Sequence, residues 1–177
     1  ERRTHYVVDM DSCAVLPARA STLLRPLRDL ISGLHCARRL AQVEMAAGES
    51  DLALTMRHLD PLSAEDEQAL REFAARYDVQ IHLQPGGPDS VHPLESAGAS
   101  ELTYTLPEFD LTFGFQPTDF TQVNHEINRV LVRRAVSLLQ PVAGERIGDL
   151  FCGLGNFSLA LARRGAQVVG VEGSADL

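Results

Sequence analysis

Apolar residues along the first 115 positions are spaced as expected for strands covered by two helices. Helical spacing predicts one helix over 21–35. It predicts a second over 63–77, where Ser63 precedes an acidic first turn and an apolar stripe. Strand-forming residues predict six strands, at 4–9, 42–47, 51–59, 79–84, 101–106 and 109–115. This pattern is typical of an α+β domain, which we place at residues 1–115.

Two segments of this domain allow further predictions. Residues 79–84 alternate apolar and polar side chains, which predicts a strand with one buried face. Residues 85–100 contain four glycines or prolines in succession and two more further on, so we predict no regular structure there.

The pattern changes after residue 115. A helix is predicted over 124–139, with an apolar face formed by Ile127, Val130, Leu131, Ala135 and Leu138. A strand, a glycine turn, a helix and a second strand follow, at 146–151, 152–155, 156–164 and 167–172. This order is the opening βαβ unit of a doubly wound α/β sheet. Because such a sheet needs more strands to bury its faces, residues 116–177 are expected to be an incomplete second domain.

Composition narrows the class of protein. Hydrophobic residues make up 45% and charged residues 23% of the chain, which is typical of a globular protein. The sequence contains no apolar run of membrane-span length and no secretory signal, so we expect a cytoplasmic location. Three scattered cysteines do not form a disulfide scaffold.

The distribution of charge along the chain is more informative about RNA binding than the net charge. The net charge of −8 argues against nucleic acid at first sight, but the excess acid all lies in residues 51–110. Only that middle segment is therefore excluded as a surface that faces RNA.

Candidate chemistry centres on the glycine turn. Gly153 and Gly155 let the backbone approach a ligand closely, and Glu172 closes the next strand, where a carboxylate can accept hydrogen bonds from ribose hydroxyls. This arrangement favours a nucleotide-type cofactor, although such a turn can also serve only to pack a helix on a strand. Ser158 stands where a dinucleotide-binding fingerprint has its third glycine, which disfavours NAD.

Three motifs resemble one known family. They are Phe120-Thr121-Gln122-Val123-Asn124, the run Asp149–Phe157, and Val169-Gly170-Val171-Glu172-Gly173. Together with Asp9–Pro17 they are similar to the RNA (uracil-C5)-methyltransferases, which use S-adenosylmethionine. Within that family they are most similar to the branch that acts on bacterial 23S ribosomal RNA and carries a 4Fe–4S cluster.

The resemblance implies a cofactor site in a Rossmann-like domain. Gln122 would contact the methionine end of S-adenosylmethionine, Phe151 would line the pocket, Asn156 would bind polar cofactor atoms, and Glu172 would bind the ribose hydroxyls. Ordinary structural roles remain open for three of them. Gln122 could cap a helix, Phe151 could be a core aromatic residue, and Asn156 could be an N-cap.

The resemblance also gives Cys13 a role, as the fourth ligand of the iron–sulfur cluster. The other three cysteines of such proteins precede the segment matched here, and one thiolate cannot hold a cluster that is bound by four. We therefore expect no cluster in this chain. Cys36 and Cys152 are interpreted as structural.

The activity implied by the resemblance is methylation of uridine C5 through a cysteine adduct at C6, followed by proton removal by a carboxylate base. Both groups come late in the catalytic domain of the family, so no catalytic residue is predicted and the chain alone is expected to be inactive. RNA is the implied partner, with no membrane and no obligate protein partner. Two alternatives stay open: the transfer-RNA branch of the family, and a non-catalytic RNA-binding scaffold.

Overall fold

A computed structural model describes residues 9–95 and 100–174, which form two compact units. Unit 1 takes the described residues of 1–47 and 51–100, and unit 2 takes those of 48–50 and 101–177. The strand predicted at 4–9 lies outside the described residues except for Asp9. The domain boundary predicted between residues 115 and 116 stays a prediction.

Unit 1 is built on a four-stranded sheet. Its strands are β1 (Leu40–Ala47), β2 (Leu52–His58), β3 (Gln80–Gln84) and β4 (His92–Pro93), in that spatial order. The β1–β2 and β3–β4 pairs are antiparallel, whereas β2 and β3 are parallel. The strands β1, β2 and β3 confirm those predicted at 42–47, 51–59 and 79–84.

Two expectations about this sheet were wrong. His82 and Gln84 are buried, so β3 is buried on both faces rather than one. An inner strand that pairs in parallel is usually covered on both sides, which overrides the alternating pattern. Residues 85–95 also contain some regular structure, a 3₁₀ turn at Pro88–Ser90 and the short strand β4.

Three helices accompany the sheet. They are α1 (Ala18–Thr22), α2 (Leu24–Gly33) and α3 (Ala64–Tyr77). The single helix predicted over 21–35 is therefore divided at Leu23. Pro26 falls in the first turn of α2, where a residue without an N–H is tolerated.

The core of unit 1 lies between these helices and the sheet. Leu54 and Met56 on β2 are fully buried, and Leu70 and Phe73 of α3 belong to the same apolar cluster as Leu27 of α2. The helices thus hold the sheet by apolar burial, at roughly 1.5–3 kcal/mol for each large side chain.

The start of α3 combines a cap with a buried carboxylate. The Ser63 hydroxyl oxygen accepts a hydrogen bond from the Asp66 N–H at 3.1 Å. The Asp66 carboxylate accepts from the backbone N–H groups of His35 (2.7 Å) and Cys36 (3.1 Å), which follow α2. Burial alone would raise the pKa of Asp66, but these hydrogen bonds outweigh it and leave the pKa below its usual value. Asp66 is therefore ionised at neutral pH and ties α3 to the end of α2.

We expect Ser63→Ala to lower the free energy of unfolding by about 1 kcal/mol, because it removes the acceptor for the first turn of α3. Urea-induced unfolding of both proteins measures this difference. Ser63→Thr keeps the capping oxygen and is the matched control, so it should unfold close to the wild-type midpoint. An unchanged midpoint for Ser63→Ala would contradict the role given to the cap.

Unit 2 joins a hairpin to a βαβ unit. The hairpin strands are β5 (Leu102–Leu106) and β6 (Leu111–Phe115), which pair antiparallel. The helix α4 (His125–Leu139) follows, and then β7 (Arg146–Leu150), α5 (Ser158–Ala162) and β8 (Gln167–Val171). The strands β7 and β8 are parallel neighbours, which confirms the predicted βαβ unit.

The apolar face identified in α4 is not the face that packs in unit 2. Asn128, Val132 and Val136 are the buried side chains of the helix, at intervals of four residues. Ile127 and Leu138, which belong to the apolar face, are exposed in the described chain. The helix carries two apolar stripes, and the stripe that packs in unit 2 is the one that contains a polar residue.

Among the described residues, no helix has both the length and the apolar character needed to cross a membrane.

Candidate cofactor site

The turn after β7 has a backbone that favours glycine. The φ angles of Gly153 and Gly155 are 54° and 89°, in the region that residues with a Cβ seldom adopt. Phe151 has a φ of 61° and is the non-glycine residue in this turn with positive φ. The N–H groups of Phe151 and Cys152 both donate to the Val171 carbonyl, at 2.7 and 3.2 Å. The turn is thus fastened to the end of β8.

Glu172, the residue after β8, lies against this turn. Its Oε2 accepts a hydrogen bond from the Gly153 N–H at 2.8 Å, and its Oε1 accepts from the N–H groups of Gly173 (2.7 Å) and Ser174 (2.9 Å). The hydrogen bonds from Ser174, Gly153 and Gly173 lower the pKa of Glu172. The side chain is therefore an oriented carboxylate, and Oε2, with one donor, keeps a lone pair for a ligand.

The Phe151 ring is presented to solvent. Its relative exposure is 89%, so it is not the core aromatic residue that one interpretation allowed. A large exposed ring on a residue with positive φ is uncommon, and the cofactor role of Phe151 stays a prediction.

Asn156 is held from two sides. Its Nδ2 donates to Asn128 Oδ1 at 2.8 Å, and Asn128 Nδ2 donates back to Asn156 Oδ1 at 3.0 Å. The Tyr104 hydroxyl also donates to Asn156 Oδ1, at 3.3 Å. The residue at the N-cap of α5 is Phe157, so the capping interpretation of Asn156 was wrong.

A second set of contacts supports the turn from the strands. The Ser158 hydroxyl donates to the Asp149 carboxylate at 2.6 Å, which links the start of α5 to the end of β7. An added Cβ at Gly170 on β8 would lie 2.8 Å from Cys152 Sγ, so the Cys152 side chain would have to shift. Ser158, which stands where a dinucleotide-binding fingerprint has its third glycine, thus forms a hydrogen bond that a glycine could not form.

The predicted site residues are only partly brought together. Phe151, Asn156 and Glu172 lie on the turn or against it. Gln122 lies on the exposed segment between β6 and α4. It is not the cap of α4, because Asn124 fills that position and accepts from the Ile127 N–H at 3.0 Å. The cofactor role of Gln122 stays a prediction.

Cys13 and Cys36 belong to unit 1, whereas Cys152 lies in the glycine turn itself. Cys13 is a half-buried free thiol in unit 1, and its N–H donates to the Ser21 hydroxyl at 2.9 Å. Within residues 9–95 and 100–174 there is no cluster of three or more His, Cys, Asp or Glu side chains that could hold a metal ion. The ligand role of Cys13 stays a prediction. Burial, together with Asp66, raises the pKa of the buried Cys36 thiol, which suits a structural residue.

Sequence reasoning missed three residues that support the turn, namely Tyr104, Asn128 and Gly170. A glycine inside a strand often marks a close approach of another group, so Gly170 carried a usable signal. Asn128 and Tyr104 gave no local signal, because each contacts Asn156 across a long separation in sequence.

Known proteins with similar sequences and structures have the same fold as this chain. The profile of the tRNA (Uracil-5-)-methyltransferase family matches residues 15–176. The crystal structure of Pyrococcus abyssi tRNA (uracil-54, C5)-methyltransferase in complex with S-adenosyl-L-homocysteine superposes with a TM-score of 0.66 at 21% identity. That match covers 96% of this chain and 44% of the archaeal chain, and it shows the fold.

Curated relatives are closer in sequence. The 23S rRNA (uracil(1939)-C(5))-methyltransferase RlmD of Aromatoleum aromaticum is 56% identical over 177 residues, which is all of this chain and 41% of the relative. The RlmD protein of Nitrosospira multiformis is 54% identical over the same span, 40% of its length. The chain thus spans about two fifths of the length of these relatives. From its sequence and its fold, the chain belongs to the tRNA (uracil-5-)-methyltransferase family.

Proposed function

We propose that this chain is part of an enzyme that transfers a methyl group from S-adenosylmethionine to C5 of a uridine in 23S ribosomal RNA, in the cytoplasm. The observation that carries the proposal is the fixed carboxylate of Glu172 against the Gly153 turn. Relatives that are more than half identical along the whole chain are named as 23S rRNA methyltransferases, which favours ribosomal over transfer RNA.

The described residues fit an adenosyl ligand. A Cβ at Gly153 would meet no atom within 4 Å, so the space beside the turn is open to a ligand. There Glu172 would accept a hydrogen bond from a ribose hydroxyl, and the exposed Phe151 ring offers an apolar surface for the adenine or the sulfonium substituents. Gln122 would contact the methionine end. S-adenosylmethionine, when bound, supplies an electrophilic methyl group.

This chain supplies cofactor binding, and we assign no catalytic residue in it. In the family, a cysteine adds to uracil C6 and a carboxylate base removes the C5 proton. We also propose that Cys13, which is a half-buried free thiol, is one of the four ligands of a 4Fe–4S cluster in a protein of the relatives' length.

Calorimetric titration of a protein of the relatives' full length, called here the full-length enzyme, tests the cofactor. We expect saturable one-site binding of S-adenosylmethionine and no detectable binding of NAD, because the turn lacks the third glycine of the dinucleotide-binding fingerprint, which allows the helix to pack closely on the strand. Saturable NAD binding without S-adenosylmethionine binding would overturn the proposal in favour of a dinucleotide enzyme.

A methyl-transfer assay then tests the substrate. With tritiated cofactor, the full-length enzyme should label a 23S ribosomal RNA transcript and leave a transfer-RNA transcript unlabelled. Labelling of transfer RNA alone would move the protein to the other branch of the family. Binding of RNA and cofactor with no labelling of either transcript would indicate a non-catalytic scaffold.

A further inference from the structure

A buried amide pair links α4 to the candidate cofactor turn. Asn128 is 2% exposed, and its side-chain amide exchanges two hydrogen bonds with that of Asn156, at 2.8 and 3.0 Å. Buried amides are stabilising only when their donors and acceptors are paired, and this pair satisfies one donor and one acceptor on each side.

The hairpin adds a third group to this pair. Tyr104 on β5 is 4% exposed and donates its hydroxyl to Asn156 Oδ1. Its ring stacks on Phe113 with centroids 4.8 Å apart, and His125 at the start of α4 stacks on it at 5.6 Å. Burial raises the pKa of Tyr104 to about 12, so the phenol stays protonated and remains a donor at neutral pH.

These contacts leave little of Asn156 for a ligand. Its Oδ1 accepts from both Asn128 and Tyr104, which uses the two lone pairs of a carbonyl oxygen. Its Nδ2 donates one hydrogen to Asn128, so one N–H remains. The side chain is therefore committed mainly to fixing the turn in place.

The composition of α4 supports the same interpretation. Its buried positions are Asn128, Val132 and Val136, and asparagine is a weaker helix former than an aliphatic residue such as leucine. An apolar side chain at 128 would suit both the helix and the core. The asparagine is explained by its partner, because it holds Asn156 by two directional bonds that an apolar contact could not supply.

We infer that Asn128 is a positioning residue for the cofactor site, acting through Asn156 on the turn that contacts Glu172. The link is short. Asn156 directly follows Gly155, whose N–H donates to the Cys152 carbonyl at 2.9 Å, and Gly153 in the same turn donates to Glu172. Fixing Asn156 thus fixes the backbone donors of the turn. This inference rests on the proposed binding of S-adenosylmethionine.

Calorimetry of the full-length enzyme with S-adenosylmethionine tests the inference. Asn128→Leu keeps the branching of the side chain but removes both amide bonds, and we expect the dissociation constant to rise about tenfold, the equivalent of two ordinary hydrogen bonds. Val132→Ala is the matched control, since Val132 is buried on the same helix and has no bond to Asn156. It should lower the melting temperature and change the dissociation constant less than about twofold.

A double-mutant cycle shows whether the effect passes through Asn156. If it does, Asn128→Leu added to Asn156→Leu weakens binding no further than Asn156→Leu alone. Additive losses would overturn the inference, as would an equal loss in Val132→Ala or wild-type affinity in Asn128→Leu.

Tyr104→Phe keeps the test decisive if Asn128→Leu does not fold. It removes only the hydroxyl, and we expect the dissociation constant to rise about threefold. Unchanged affinity in this variant would then overturn the inference. Failure of the proposed function is distinguishable, because in that case the wild-type enzyme itself does not bind S-adenosylmethionine and both proposals fall together.

Discussion

Replacing Glu172 by glutamine is expected to weaken S-adenosylmethionine binding by the full-length enzyme about 100-fold, which is the largest loss we predict. The substitution removes the charge that, in the proposed site, would strengthen a hydrogen bond from a ribose hydroxyl. It also places an amide NH2 where a carboxylate oxygen now accepts from Gly153 or from Gly173 and Ser174. Donor would then face donor on one side of the side chain, either at Gly153 or at Gly173 and Ser174.

Calorimetry at pH 7 measures the change, and Glu145→Gln is the matched control. The Glu145 carboxylate also accepts from a backbone N–H, that of Val142 at 3.1 Å, at the start of β7 rather than its end. Because its loss leaves the glycine turn untouched, the control should bind the cofactor with wild-type affinity. Equal affinity of the Glu172 variant and wild type would remove Glu172 from the site.

The pH dependence of binding has a definite sign. The pKa of Glu172 is lowered by the three backbone N–H groups, so its charge is fully present above the ordinary glutamate pKa of about 4.3. The contribution of the carboxylate should therefore be constant from about pH 5 to 8 and be lost only as the pH falls through the lowered pKa.

Gly170→Ala is expected to lower the free energy of unfolding by about 1 kcal/mol, because the new methyl group would displace the Cys152 side chain. The new Cβ would lie 2.8 Å from Cys152 Sγ, so Cys152 must move. Since Cys152 directly precedes Gly153, we also expect weaker S-adenosylmethionine binding. Thermal unfolding and calorimetry of the full-length enzyme measure the two effects.

Gly148 provides the comparison for this variant. It lies in β7, one register position from Gly170, but a Cβ there would meet no atom within 4 Å. Gly148→Ala should therefore raise stability slightly, by about 0.5 kcal/mol, because alanine loses less backbone entropy than glycine in a strand. A similar loss in both variants would mean that the strand, and not the contact with Cys152, is sensitive to the change.

Local signals in the sequence were sufficient for most elements of the fold. Ser63 and the acidic turn after it predicted α3 within one residue of its first position, because a cap is a property of adjacent residues. Division of the helix predicted over 21–35 was missed although Pro26 marked a first turn. The prediction followed the apolar spacing and did not use Pro26, which explains the error.

The buried face of α4 needed information that adjacent residues do not contain. Periodicity favoured the stripe with Ile127 and Leu138, and a polar residue at 128 counted against the stripe that is buried. Only the partner on the distant turn makes a buried Asn128 favourable. Similarly, Gly153 and Glu172 were recognisable from their spacing after a strand, whereas the contacts that hold the turn were not.

The left-handed backbone of Phe151 lowers the stability of the protein. A left-handed backbone at a residue with a bulky side chain is unfavourable by roughly 1–2 kcal/mol, and glycine would relieve it. On grounds of stability alone, glycine would therefore be the favoured residue at position 151. An aromatic side chain at this position therefore lowers the thermal stability of the protein relative to a glycine, and it leaves an apolar ring exposed beside the glycine turn.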